Sequence, residues 1–387
     1  MNVARSVNIG EVARAAGVGT GTVSRVLNGS ASVSATTRAR VLAVITALGY
    51  RPSHLAASLS RGSPRTIAIV VPYLTRPSVV VRLAGAMTVF DAEGYDTVVF
   101  NVETVEQRDR HLESLTARHR ADGVLIVSAP VPRTQLAALG GAGIPLVMID
   151  SEAPGVNRIV ADDAAGGRIA TSLLLDLGHR RIGFIGDVGH EGVGNRSARN
   201  RLAGYRSALD GAGVDYDRSL VRNGPHGAHS AELLAEGLLR RPSPPSAVFA
   251  ASDTQAIGVL GAADRLGVAV PDELSVVGYD DIDAAALLGL TTVRQPLERS
   301  GTLGADRLCA LVRGEVVRPV RQRLPLEVVT RASTARPHAR PHARRAGAVL
   351  ATRTSSQERR ARGGRAAIAG TVPALARSGG DSHLAPT

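Results

Sequence analysis

Over the first fifty residues, apolar side chains recur at helical spacing in three short stretches. Asn8 followed by Glu11 has the form of a capping box, and Ile9, Val12, Ala13 and Ala16 then fall on one helical face until Gly17. Thr22, Val23, Val26 and Leu27 open a second amphipathic segment that ends near Asn28 and Gly29. Ser34 caps a third, in which Val41, Leu42, Ile45 and Leu48 repeat until Gly49. Three helices around one small core are predicted, the first two joined by a tight turn; a plain three-helix bundle is the alternative that spacing alone leaves open. After Pro52, residues 53–61 have room for a short helix, too short to be stable alone in water. From Arg65 the period changes. Thr66–Val71, Asp96–Asn101, Gly123–Val127, Leu146–Ile149, Arg181–Ile185, Ala247–Ala250 and Leu274–Val277 have the form of buried strands. Helical segments lie between them, at Val79–Glu93, Arg108–His119, Ala164–Leu177, Arg199–Gly211, Ala231–Arg240 and Thr254–Leu266. That alternation predicts doubly wound α/β architecture, twice over, with ligands expected beyond the carboxyl ends of the strands.

Length and composition agree with several domains. The chain has 387 residues, 44% of them hydrophobic and 21% charged, and no apolar run approaches the roughly 18 residues of a membrane span. Asn8, Gly10 and Glu11 interrupt what a signal peptide would need as an apolar stretch, so a cytoplasmic protein is expected. Cys309 is the only cysteine and sits in an apolar run, Leu308–Val312, which excludes an internal disulfide or a cysteine metal cluster and points to a core position. The net charge of +12 is uneven along the chain. Residues 1–62 hold seven Arg and one acid, residues 63–335 hold 29 Arg and 31 acids, and residues 336–387 hold ten Arg and two acids. A basic head on a nearly neutral body is what attraction to a phosphate backbone requires. Lys is absent throughout, which is attributed to coding bias and carries no functional reading.

Catalytic chemistry finds little support. Gly17-Val18-Gly19-Thr20-Gly21 follows no strand and lacks the third dinucleotide glycine, and a phosphate loop ending in Gly-Lys is impossible without Lys. Asp280 and Asp281 are adjacent, but nothing forms a hydrolytic site around them. Neither a cofactor nor a metal is implied: Pro337 and Pro341 prevent the helix that would bring His338 and His342 together. The Arg-rich tail has a disordered composition, capable of loose, salt-sensitive attraction to DNA.

The head carries a specific likeness. Val12-Ala13-Arg14-Ala15-Ala16-Gly17-Val18, Thr22-Val23-Ser24-Arg25-Val26-Leu27-Asn28 and Leu48-Gly49-Tyr50-Arg51-Pro52 resemble the lac/galactose repressor family of transcriptional regulators. The resemblance implies that the second helix enters the major groove of operator DNA. Thr20, Gly21 and Arg25 would then face base edges, while Thr22, Ser24 and Asn28 would hold phosphates. Two departures matter: Gly19 replaces the usual Ser cap, and Gly21 has no side chain where others read a base. In that family residues 53–64 would be a hinge helix that folds on DNA, with Leu59 wedged into the minor groove. Residues 1–52 would be the helix-turn-helix domain, and 336–387 the tail.

The resemblance extends over the body, residues 65–335, which looks like a two-lobed periplasmic-binding-protein fold serving effector binding and homodimerisation. Asp150, Arg201, Ser252 and Asp280 lie at or near strand ends and should converge on one cleft. Carboxylates accept and guanidinium groups donate, so the set suits a polyhydroxylated ligand. Where the family commonly has Asn-Pro and aromatics, Arg76-Pro77-Ser78-Val79 offers no ring, and Trp is absent from the chain, so a flat purine is disfavoured. The expectation is a repressor of carbohydrate uptake or catabolism genes, released from a pseudo-palindromic operator by a small sugar. A corepressor-dependent regulator sensing another metabolite is the alternative, followed by a sugar receptor without DNA function and an architectural DNA binder.

Overall fold

A computed structural model describes residues 7–27, 29–50, 64–118, 120–151, 153–187, 196–315 and 318–337. Asn28, Leu59, nearly all of the hinge and all but the first two residues of the tail lie outside the described residues.

The head consists of α1 (Ile9–Ala16), α2 (Thr20–Leu27) and α3 (Ala35–Leu48). The capping box forms: the Asn8 side chain accepts from the Glu11 amide at 3.0 Å, and the Glu11 carboxylate accepts from the Asn8 amide at 2.9 Å. Gly17 ends α1 at φ 60°, a left-handed conformation that side chains resist. The spacing of apolar residues placed the start of the second helix at Thr22, whereas α2 begins at Thr20, because the Gly19 carbonyl already accepts from the Thr22 and Val23 amides. Val12, Ala13, Ala16, Val23, Val26, Val41 and Tyr50 bury a small core shared by the three helices.

In the body, five strands alternate with three helices: β1 (Thr66–Pro72), α4 (Pro77–Ala92), β2 (Asp96–Val102), α5 (Val105–Arg118), β3 (Gly123–Val127), α6 (Arg133–Gly141), β4 (Leu146–Ile149) and β5 (Asn157–Ala161). The second series is α7 (Asp163–Asp176), β6 (Ile182–Asp187), α8 (Arg196–Gly211), β7 (Val221–Gly224), α9 (Ala228–Leu239), β8 (Ala247–Ala250), α10 (Asp253–Leu266), β9 (Ser275–Asp280), α11 (Asp283–Leu287) and β10 (Thr291–Arg294). The chain finishes with α12 (Leu297–Val312), β11 (Arg321–Leu324) and β12 (Glu327–Val329).

These strands form two six-stranded sheets of the same winding, ordered β11-β5-β4-β3-β1-β2 and β12-β10-β9-β8-β6-β7. All pairings are parallel except that of β12 with β10. The chain therefore passes between lobes three times: after β5, after β10, and between β11 and β12. Helix α12 follows the second lobe in sequence yet buries Ala305, Leu308 and Cys309 against the first. Both faces of each sheet carry a hydrophobic cluster, which explains the near-continuous apolar runs of the central strands. The strands and helices that periodicity missed, namely β5, β7, β10, β11, β12, α6, α11 and α12, are mostly short or lie toward the sheet edges. A run of three to five residues half exposed on one face carries too little pattern to separate strand from loop.

One close approach positions the site. A Cβ on Gly167 would lie 2.1 Å from the Arg201 carbonyl oxygen, and one on Gly204 would lie 2.0 Å from that of Ala164. Only hydrogen fits at either point, so α7 and α8 pack backbone to backbone and Arg201 is set beside Asp163.

Candidate binding cleft and nucleic-acid interface

On the head, burial of Val23 and Val26 turns the opposite face of α2 outward. Thr20, Gly21 and Arg25 are exposed there, and Thr22 and Ser24 are half-buried at its margins. Arg25 occupies the last turn of α2, where the helix dipole favours a cation. The arrangement offers a compact polar ridge with one guanidinium.

In the body, a cleft with about 660 Å³ of empty space, part of it open to solvent, runs between the carboxyl ends of the two sheets. Asp150, Arg201, Ser252 and Asp280 all line it. Asp150 follows β4 at φ 50°; its carboxylate pairs with Arg82 from α4 and accepts from the Ala161 amide at 2.9 Å. Arg82 also donates to Gln295 at 3.2 Å, and Gln295 donates to Asp280 at 2.5 Å. Arg201 is held by Asp163 at 2.8 Å and by the Ala251 carbonyl at 2.5 Å, lies 3.7 Å from Asp280, and stacks 3.6 Å above the centre of the Tyr279 ring. A continuous chain of alternating acceptors and donors thus runs from Asp150 in the first lobe to Asp163 in the second.

Burial has electrostatic consequences. It pulls the Arg201 pKa down, but the Asp163 and Asp280 carboxylates overcome this and hold the guanidinium firmly charged. Burial raises Asp280 and Asp187 above the usual carboxylate range, with Arg201 and Arg76 respectively opposing the rise. His226 is driven down to about 3 by burial and by the charges of Arg76 and Arg201, so its ring is neutral at physiological pH.

One sequence expectation is modified. Ser252 lines the cleft, but its hydroxyl also caps α10 by accepting from the Gln255 amide at 3.2 Å and sits 3.2 Å from His226 Nε2. Asp281, adjacent to Asp280, turns away to Arg294 and Arg331 at 2.6 and 2.7 Å, so the two carboxylates share no site. Sequence reasoning missed Arg76, Arg82, Asp187, His226, Gln255 and Gln295. Arg82 had left a signal, being a charge on the face shared by Val79, Leu83 and Ala86. Asp187 stands at the end of a strand judged two residues too short, and Gln295 follows a strand that was not recognised.

Two family models match the chain: "Bacterial regulatory proteins, lacI family" over residues 8–53 and "Periplasmic binding protein-like domain" over residues 171–334. The HTH-type transcriptional repressor PurR of Photobacterium profundum is 33% identical over 312 residues, covering 79% of this chain and 92% of the relative. The chain belongs to the LacI family of bacterial regulatory proteins. A second LacI-family relative, the ribose operon repressor of Escherichia coli, is 34% identical over 304 residues, 77% of this chain and 91% of the relative. The lac repressor dimer, solved bound to operator and the anti-inducer ONPF, superposes with a TM-score of 0.74 at 28% identity, covering 86% of this chain and all of that one. The helix-turn-helix head and two-lobed α/β body are therefore those of a LacI-family DNA-binding repressor with a small-molecule effector domain, and the relatives are regulators rather than enzymes.

Proposed function

We propose that this LacI-family repressor binds a pseudo-palindromic operator as a homodimer in the cytoplasm and is released from it by a small polyhydroxylated effector, a sugar or sugar derivative, held in the cleft. The observation that carries the effector class is the alternating chain Asp150–Arg82–Gln295–Asp280–Arg201, whose donors and acceptors suit hydroxyl groups that each donate and accept. Similarity to PurR raises the purine alternative, but among the described residues lining the cleft His226 has the only aromatic ring, and Ser78 and Val79 stand where a stacking ring would help a flat base. Thr20, Gly21, Thr22, Ser24 and Arg25, together with Asn28 and Leu59, are the proposed DNA contacts. Gly21 contributes no side chain, so Thr20 and Arg25 carry most of the base reading. Homodimerisation is supported by exposed apolar side chains in both lobes, Val80 and Met87 on α4 and Leu287 and Leu288 at the end of α11.

Because the cleft joins two lobes, a ligand that prefers one lobe spacing shifts the equilibrium between spacings and, through the dimer, operator affinity. The test is selection of DNA sites from a random pool by the purified chain, followed by titration of sugars against the selected duplex. A two-fold symmetric site, and release of DNA that depends on Arg201 and Asp280, are expected. Release by purines and not by sugars, or tighter DNA binding on adding sugar, would replace this reading with the corepressor one.

A further inference from the structure

Three residues that line the cleft each carry a buried side-chain atom with no hydrogen-bond partner among the described residues: Asp187 Oδ1, Gln255 Nε2 and Arg82 Nε. Orphaned polar atoms inside a protein cost free energy, and a cluster of them around one cavity marks where a ligand completes the set. Two of the three belong to neighbouring elements of the second lobe. Asp187 closes β6, and Gln255 lies in the first turn of α10, directly after β8, which pairs with β6 through Ile185 and Ala250. Both side chains are almost wholly buried, that of Asp187 4% exposed and Gln255 1%.

The chemistry of the two atoms is complementary. Asp187 Oδ1 is a carboxylate acceptor, and Gln255 Nε2 is an amide donor whose own carbonyl is occupied 3.1 Å from the Ser252 hydroxyl. A hydroxyl satisfies both kinds of atom through a single oxygen, since it donates and accepts. An ether oxygen or a ring nitrogen would leave one of them unpaired. The remaining oxygen of Asp187 is held 3.1 Å from Arg76, a residue of the opposite lobe. Arg76 is therefore a positioning residue: it fixes the carboxylate in the cleft when the lobes are close and is drawn away with its lobe when they part.

We propose that Asp187 and Gln255 form a hydroxyl-binding subsite, separate from the Asp150–Arg82–Asp280–Arg201 chain, that selects the effector by one hydroxyl or a pair of adjacent ones and is complete only when Arg76 closes onto Asp187. This inference rests on the polyhydroxylated effector proposed above.

Calorimetric titration of the full chain with D-ribose, D-galactose, D-fructose, cellobiose and adenine identifies the ligand used in the test. With the sugar that binds, Asp187→Asn and Gln255→Leu each weaken binding tenfold or more. Without sugar, Gln255→Leu melts no lower than the parent, because it deletes an unpaired buried donor, and the Ser252 hydroxyl that loses the Gln255 carbonyl keeps His226 Nε2 at 3.2 Å; a purely structural role would lower the melting temperature instead. Deoxy forms of the sugar give the decisive cycle: for one of them the parent loses as much affinity as the variants do, and the variants lose nothing further. Should Asp187→Asn not fold, Gln255→Leu and the deoxy sugars carry the test. Sugar binding that is abolished by Asp280→Asn yet untouched by Asp187→Asn, Gln255→Leu and every deoxy form overturns the subsite and leaves the sugar reading standing. Binding of adenine and of no sugar overturns both.

Discussion

The α2 face and the cleft are both polar, yet they are built in opposite ways. On α2 the proposed DNA contacts stand at the surface on a scaffold held by a few small apolar residues, Val12, Ala16, Val23 and Val26. In the cleft the charged groups are buried and locked to one another, Arg82 to Asp150 and Arg201 to Asp163, the second pair on two helices pressed together at glycines. The difference is what the two proposed ligands would require. A polyanion brings its own charge and a wide groove, so exposed side chains can meet it without prior desolvation. A small uncharged ligand offers only hydroxyls, and affinity for it requires that the protein's groups be desolvated and oriented beforehand. Function and stability should therefore separate on the head and be fused in the cleft.

The largest effect expected from that contrast is at Arg201. Arg201→Met keeps the side-chain length but leaves Asp163 and Asp280 buried without their cation, and should cost about 3 to 5 kcal/mol in urea unfolding as well as ligand binding. A loss below about 1 kcal/mol would break the comparison. On α2, Arg25→Ala should weaken operator binding by about 1 to 3 kcal/mol in a gel-shift titration. Its unfolding free energy should stay within about 0.5 kcal/mol of the parent, as for other surface changes. Asn8→Ala sharpens the same point from the scaffold side: loss of the capping box should destabilise the head by about 1 kcal/mol, seen as faster amide exchange in α1, with no change in the body.

The smallest effect is one of pH. His226 is held neutral in the folded chain down to about 3, whereas in the unfolded chain it takes up a proton near 6.5. Below that value the unfolded state binds the proton and the folded state does not, so stability falls as pH falls and is unaffected well above 6.5. Between pH 7 and 6 the loss is about 0.7 kcal/mol. Melting curves of the parent and His226→Asn should diverge as the pH is lowered through this interval; parallel curves would place the imidazole in contact with water.

Much of this contrast was legible in the sequence, unequally for the two regions. The head was readable because its determinants are local: Asn8 and Glu11 three apart, Gly17 and Gly49 at helix ends, Ser34 before α3. In the body, Asp150, Arg201, Ser252 and Asp280 could be gathered into one cleft by the strand-end rule and the family likeness. Arg76, Asp187 and Gln255 could not, since their meaning depends on which side chain faces them across the lobes. Arg76 drew notice only for the ring it lacks, while its partner Asp187 lies more than a hundred residues away. Pairings of that kind leave no periodicity.

The three crossings between lobes bear on how the protein is made. The head is complete once residue 50 has left the ribosome, but the first lobe lacks Ala305, Leu308, Cys309 and Leu324 of its core until α12 and β11 have been synthesised, and the second sheet lacks β12 for longer still. During synthesis the DNA-reading helices are thus folded for most of the time in which no effector lobe exists. A message cut short within the last third of the body would yield the same chimera permanently, a folded head on a chain with two unfinished lobes. The proposed control of DNA binding by the cleft would therefore be the last property this polypeptide acquires, and the first that a nonsense mutation in the body removes.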